Sequence, residues 1–238
     1  MRRRLLVVLF VFYSALVFLL ILAPQVFAKR DTAATCTGTL SHATTADITV
    51  PKGAVCRVSG STVNGSVTVQ RDAYFEAWTT KISGTVRASG ALTVFLHDGT
   101  SVAGSVLVDG TGQLFLYKTS VGGTAKVTGA VAPGYGHVQV CDTAAGAIEV
   151  SGSGPAILVG DPQAACPGNR VRKDVVVVSN NTVSELDVSG NLVAGSLLVT
   201  GNRGDSPKHV ANNTVQGQID LSNNAAPFGA SSNSAGTP

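Results

Sequence analysis

The sequence predicts an all-β fold: a single parallel β-solenoid with coils of about 19–22 residues, preceded by an N-terminal signal helix. Three observations carry it. Short apolar alternations recur about twice per coil, one seven-position pattern returns at nearly constant spacing, and in the C-terminal half an asparagine returns at a constant half-coil step. Outside an apolar leader, no window has the spacing of an amphipathic helix.

The leader comes first. Met1 to Arg4 is positively charged, Leu5 to Val26 is almost unbroken apolar sequence, and Val26-Phe27-Ala28 has the small residues of a cleavage site. Residues 1–28 therefore read as an export signal, with an uncleaved membrane anchor as the competing reading because the apolar run approaches bilayer length. Without Arg2, Arg3 and Arg4 the exported part holds 14 basic and 14 acidic residues. A neutral surface with one short basic group at Arg170, Arg172 and Lys173 gives no footing for nucleic acid. The membrane enters only through an uncleaved signal.

The first half of the exported part repeats the pattern apolar-x-Gly-x-apolar-x-apolar. It appears as Val63-Asn-Gly65-Ser-Val67-Thr-Val69, at Ile82 to Ala88, at Val102 to Val108 and at Val121 to Val127, and its glycines Gly65, Gly84, Gly104 and Gly123 keep an almost constant step. Between these lie further alternating segments, such as Leu92 to Leu96 and Leu114 to Leu116. Alternation means half-buried strands, and self-similarity at so short a period means stacked coils rather than a sandwich. A glycine at one fixed place predicts a turn needing positive φ.

In the second half the beat is kept by Asn169, Asn180, Asn191, Asn202, Asn213 and Asn224. Apolar pairs such as Leu186 and Val188, or Leu197 and Val199, follow most of them at a constant distance. Two steps make one coil, so alternate asparagines are expected to hydrogen-bond to their copies in ladders along two corners. The solenoid is thus placed at 29–224. Residues 225–238, rich in Ala, Ser, Gly and Asn without periodicity, read as a disordered tail.

Four cysteines in an oxidising compartment suggest two disulfides, and spacing alone allows three pairings. The repeat selects one of them. Cys36 and Cys56 lie one coil apart, and Cys141 and Cys166 lie one coil plus a Gly and Pro rich excursion apart.

The Val-x-Gly-x-Val-x-Val words, the opening Ile48 to Cys56 and the paired Asn-Asn-Thr-Val at 180 and 212 resemble uncharacterised secreted right-handed β-helix proteins of actinobacterial type. The glycine repeat is also similar, more weakly, to that of the bactofilins, which are cytoplasmic and polymerise end to end. The resemblance implies a fold and an export route and carries no activity.

Phe75, Phe95, Phe115 and Tyr135 are spaced by 20, so they are expected to stack in one column, with Tyr117 beside it. Should the aliphatic residues of these strands face inward, the rings face outward as a binding stripe. Catalysis has little support. Asp98 and Asp109 sit in Asp-Gly turns, Asp187 and Asp220 alternate with apolar residues and should face solvent, and His97 and Asp98 as sequence neighbours should diverge rather than form a dyad. The expected protein is non-enzymatic, secreted or cell-surface, with no cofactor or metal, and presents an extended face for binding or self-association. The alternative is a carbohydrate-binding or degenerate carbohydrate-active β-helix.

Overall fold

Each coil runs through three short strands and then climbs to the next, so every strand pairs in parallel with its counterpart one coil away. The computed structural model describes residues 33–131 and 136–236. The expected signal segment, its cleavage or anchoring, and Tyr135 lie outside them. Among the described residues no helix is long and apolar enough to cross a membrane.

The broad face is a sheet of ten strands, from Thr39–Ser41 to Phe228–Ser231, reaching five residues in Tyr74–Trp78, Thr93–His97 and Gln113–Tyr117. A narrow face follows, built of two-residue strands such as Lys81–Ile82 and Ser101–Val102. The third face holds strands such as Val86–Ser89 and Val106–Asp109. Narrow and third faces fuse where Ser120–Thr128 and Ala144–Ser151 run through both, which joins them into one 18-stranded sheet. Parallel register measures the coil directly. Ser41 stands beside Ser59, Thr93 beside Gln113 and Asn169 beside Asn191, so the sequence step lengthens from 18 through 20 to 22 along the solenoid.

All three faces turn alternate residues inward, and nearly all of those residues are apolar, Thr45 and Lys208 being exceptions. Val63, Ile82 and Val102 come from the narrow face, Val67, Val86 and Val106 from the third, and Val94, Leu114 and Val138 from the broad one; all are buried in one continuous core. Each such side chain contributes roughly 1.5–3 kcal/mol relative to exposure, and the β-branched majority suits the pleat.

The repeated glycines serve a different purpose from the expected one. Gly65, Gly84, Gly104 and Gly123 are absent from the positive-φ positions. They stack at the corner between narrow and third faces, where backbones approach closely. A Cβ on Gly104 would stand 2.6 Å from the carbonyl oxygen of Gly84, and the same corner links Gly104 N to Gly84 O at 3.0 Å. Positive φ occurs instead just after the third-face strands, at Gly90 (61°), Gly110 (57°), Gly129 (59°) and Gly152 (60°).

Two corners bury polar side chains, and here the asparagine expectation holds in full. Asn169, Asn191 and Asn213 form one ladder and Asn180, Asn202 and Asn224 the other, each Nδ2 bonding the Oδ1 of the next member at 2.9 Å. The second amide hydrogen goes to a backbone carbonyl, as from Asn191 to Val159 O at 2.7 Å. Burial of so many amides is tolerable because their donors and acceptors are matched. In earlier coils threonines fill the first corner. Thr80, Thr100 and Thr119 bond Val58 O, Ala77 O and Leu96 O at 3.3, 3.0 and 2.9 Å.

The expected tail is not a disordered one over its described part. Phe228–Ser231 and Ser234–Ala235 pair with Lys208–Ala211 and Thr214–Val215, so a further rung extends the solenoid past Asn224. Asn233 continues the first ladder by accepting from Asn213 Nδ2 at 2.9 Å. Its offset from Asn213 is 20, where Asn191 to Asn213 spans 22, and the shorter step hid it from a constant count.

Both disulfides are as expected. Cys36–Cys56, with Cα atoms 5.4 Å apart, is buried at the first coils. Cys141–Cys166, at 4.8 Å, stands on the outer side of the broad face, because Cys141 occupies the same outward position as Tyr117. It holds down an excursion after Ala156–Val159 that contains the 3-10 turn Pro162–Ala164. This coil is lengthened in consequence, and Ile157 finds its partner only at Leu186.

Candidate functional site

Register decides which side chains the broad face shows. In Tyr74–Trp78 the alternation places Phe75 and Ala77 in the core and Tyr74, Glu76 and Trp78 outside. Phe75 therefore lies against Val94, and Glu76 is the residue in line with Phe95. This corrects the expected aromatic column: Phe75 is fully buried and belongs to no surface stripe. The coil from Tyr74 to Thr93 is one residue shorter than a count by 20 assumes, and one residue of slip turns a side chain to the opposite face.

Phe95 and Phe115 do face outward, in register on adjacent coils, with ring centroids 5.5 Å apart in an edge-to-face arrangement. His97 stacks on Phe95 at 4.2 Å and lies 5.9 Å from Trp78, while Tyr117 pairs with His97 across the strands. Alternation also brings out Tyr74, Trp78, Thr93, Gln113 and Gln139, which the count by 20 did not reach. Their signal was the in-out pattern of each strand, read separately for each coil length.

The charges on this face are largely matched. Glu76 accepts from Arg57 Nε and from the Tyr74 hydroxyl, both at 3.1 Å, and lies 3.3 Å from His97 Nε2. His97 Nδ1 is 2.9 Å from Asp98 Oδ2, so these neighbours do not diverge as expected; Asp98 has φ 47°, which swings its carboxylate back toward the ring. Both ring nitrogens of His97 are thus engaged by carboxylates. Burial, and next the Glu76 carboxylate, raise the Tyr74 hydroxyl above its ordinary range.

Between these residues lies an open depression of about 410 Å³, lined by Tyr74, Thr93, Phe95, Gln113, Phe115, Tyr117, Gln139 and Ala165. Its lining carries no charged side chain. Thr93 donates to Gln113 Oε1 at 3.2 Å, whereas no described residue bonds the side-chain amide of Gln139 or the Tyr117 hydroxyl. Ala165 forms the wall, contributed by the excursion that Cys141–Cys166 holds in place. Beneath that bridge, Leu158 packs outward with both cysteines and Tyr117 in a small cluster separate from the core.

Beyond the excursion the same face becomes acidic. Asp161, Glu185, Asp187, Ser189 and His209 line a second depression of about 360 Å³. Asp187 lies outward in register between Leu158 and His209, as alternation requires, yet its Oδ1 is fully buried and has no partner among the described residues. Burial pushes this carboxyl up to about 6, against a hydrogen bond from Ser189 that lowers it. Among the described residues no group of three or more His, Cys, Asp or Glu is placed to hold a metal ion.

No family model, curated protein or solved structure matches this chain.

Proposed function

We propose that this chain is a non-enzymatic exported solenoid that works by presenting its broad face as a fixed binding surface, and that the ligand is an extended carbohydrate chain. Support comes first from one observation: Phe95 on one coil and Phe115 and Tyr117 on the next stand outward beside the uncharged amide of Gln139, which no described residue bonds. Sugar rings offer apolar C–H faces and a rim of hydroxyls. Aromatic rings serve the first and neutral amides the second, within an open groove that admits a chain rather than enclosing a small molecule. Two disulfides suit an exported protein.

A glycan array probed with the exported part provides the test, with Phe115→Ala and Tyr117→Ala as controls and circular dichroism to monitor the fold. Binding to a subset of uncharged glycans, lost in both variants while the β-sheet spectrum persists, is the expected result. An array without binding, together with sedimentation showing dimers that dissolve in Phe95→Ser/Phe115→Ser, would assign the stripe to self-association instead.

A further inference from the structure

The turn that leads into the broad-face strand Lys208–Ala211 carries Arg203-Gly204-Asp205. Arg203 and Asp205 are both exposed, and no described residue pairs with either side chain. Gly204 between them has φ +93°, and a Cβ there would run into the Thr182 carbonyl, so no other residue fits without strain. The backbone of the turn is held on all sides. Arg203 N donates to Asn180 O at 2.7 Å, and Ser206 Oγ donates to Thr182 O at 2.9 Å.

The strongest hold comes from within the core. Lys208 occupies an inward position in register with Leu186 and Phe228, and only 1% of it is exposed. Its ammonium donates to Gly204 O at 2.6 Å and Ser206 O at 2.9 Å. A lysine at a position where neighbouring coils place apolar residues is costly to bury and packs no better than leucine. What it adds is a turn fixed in one shape, with exposed Arg203 and Asp205 on either side of Gly204.

We propose that Arg203-Gly204-Asp205 is a presented recognition turn for a cell-adhesion receptor of the divalent-cation-dependent kind. Such a receptor coordinates the Asp205 carboxylate through its own bound Mg²⁺ or Ca²⁺ and sets a carboxylate against the Arg203 guanidinium. Charge of either sign alone would not specify this partner; the pair, one glycine apart and fixed, does. Lys208 is a positioning residue that holds the turn without touching the receptor.

Plating adherent fibroblasts on the immobilised exported chain in Mg²⁺ buffer tests this. Adhesion is expected, abolished by a chelator and by free Arg-Gly-Asp-Ser tetrapeptide, and reduced at least about tenfold in Asp205→Glu, which keeps the charge but moves the carboxylate. Lys208→Met should weaken adhesion with the fold retained. Should that variant not fold, the exposed Asp205→Glu still decides. Tyr117→Ala should adhere normally, which separates this turn from the aromatic groove. Absence of adhesion in Mg²⁺, or adhesion indifferent to Asp205→Glu, overturns the proposal.

Discussion

Asn191 donates one amide hydrogen to Asn213 Oδ1 at 2.9 Å and the other to Val159 O at 2.7 Å, while its own Oδ1 accepts from Asn169 N and Nδ2. Four bonds meet at one buried side chain. Asn191→Ala leaves donors and acceptors on two neighbouring coils unpaired and should cost on the order of 3 kcal/mol, since each buried orphan costs about 1–3 kcal/mol. Asn224, partly buried near the end of its ladder, should cost about 1 kcal/mol as Ala. Urea unfolding of the two variants measures the contrast.

Two glycines separate steric need from conformational need. Gly104→Ala puts a methyl 2.6 Å from Gly84 O and forces two backbones apart, whereas at Gly129 (φ +59°) nothing lies within 4 Å of an added Cβ. Gly129→Ala should cost about 1–2 kcal/mol, the penalty of a left-handed residue. Gly104→Ala should cost more and loosen the corner on both sides, seen as faster amide exchange in Val86–Ser89 and Val106–Asp109. Equal melting temperatures for the two variants would remove the steric account.

The fold was legible because strands and coils are short-range regularities: a valine alternation, a glycine every coil, an asparagine every half-coil. What counting did not settle was register across a change of coil length. Between Tyr74 and Thr93 one residue is missing from the count by 20, and Phe75 turns inward in consequence. The same effect hid Asn233, which comes early for its ladder. His97 and Asp98 meet for a local reason that sequence spacing does not carry, the φ of 47° at Asp98 that brings them together.

The disulfides should fail differently. Cys36→Ser/Cys56→Ser opens the buried first coils, so exchange should accelerate at Thr39–Ser41 and Val55–Ser59. Cys141→Ser/Cys166→Ser should leave the core unchanged while freeing the excursion that carries Ala165, the groove wall. On the proposed carbohydrate-binding function, affinity at the aromatic groove should then fall several-fold with little change in melting temperature.

Asp187 supplies a pH dependence. Its carboxyl titrates at about 6 when folded against 3.8 ordinarily, so between these values the folded protein holds a proton that the unfolded chain has released. Stability should therefore fall as pH rises across that window and stay level above it. Because the residue is partly open to solvent, the change is on the order of 1 kcal/mol once screening is allowed for. Asp187→Asn should flatten that part of the profile in denaturation curves taken from pH 3.5 to 7.5.

Every surface described above follows from which side chains the coil register turns outward, and engineered cysteine pairs read that register directly. Phe95 and Phe115 are partners on adjacent strands of one face, while Phe75 lies in the core under Val94. Phe95→Cys/Phe115→Cys should oxidise to an intramolecular bridge, detected as a loss of two thiols by mass spectrometry. Phe75→Cys/Phe95→Cys should keep both thiols under the same conditions. A bridge in the second pair and none in the first would contradict the register and the binding face drawn from it.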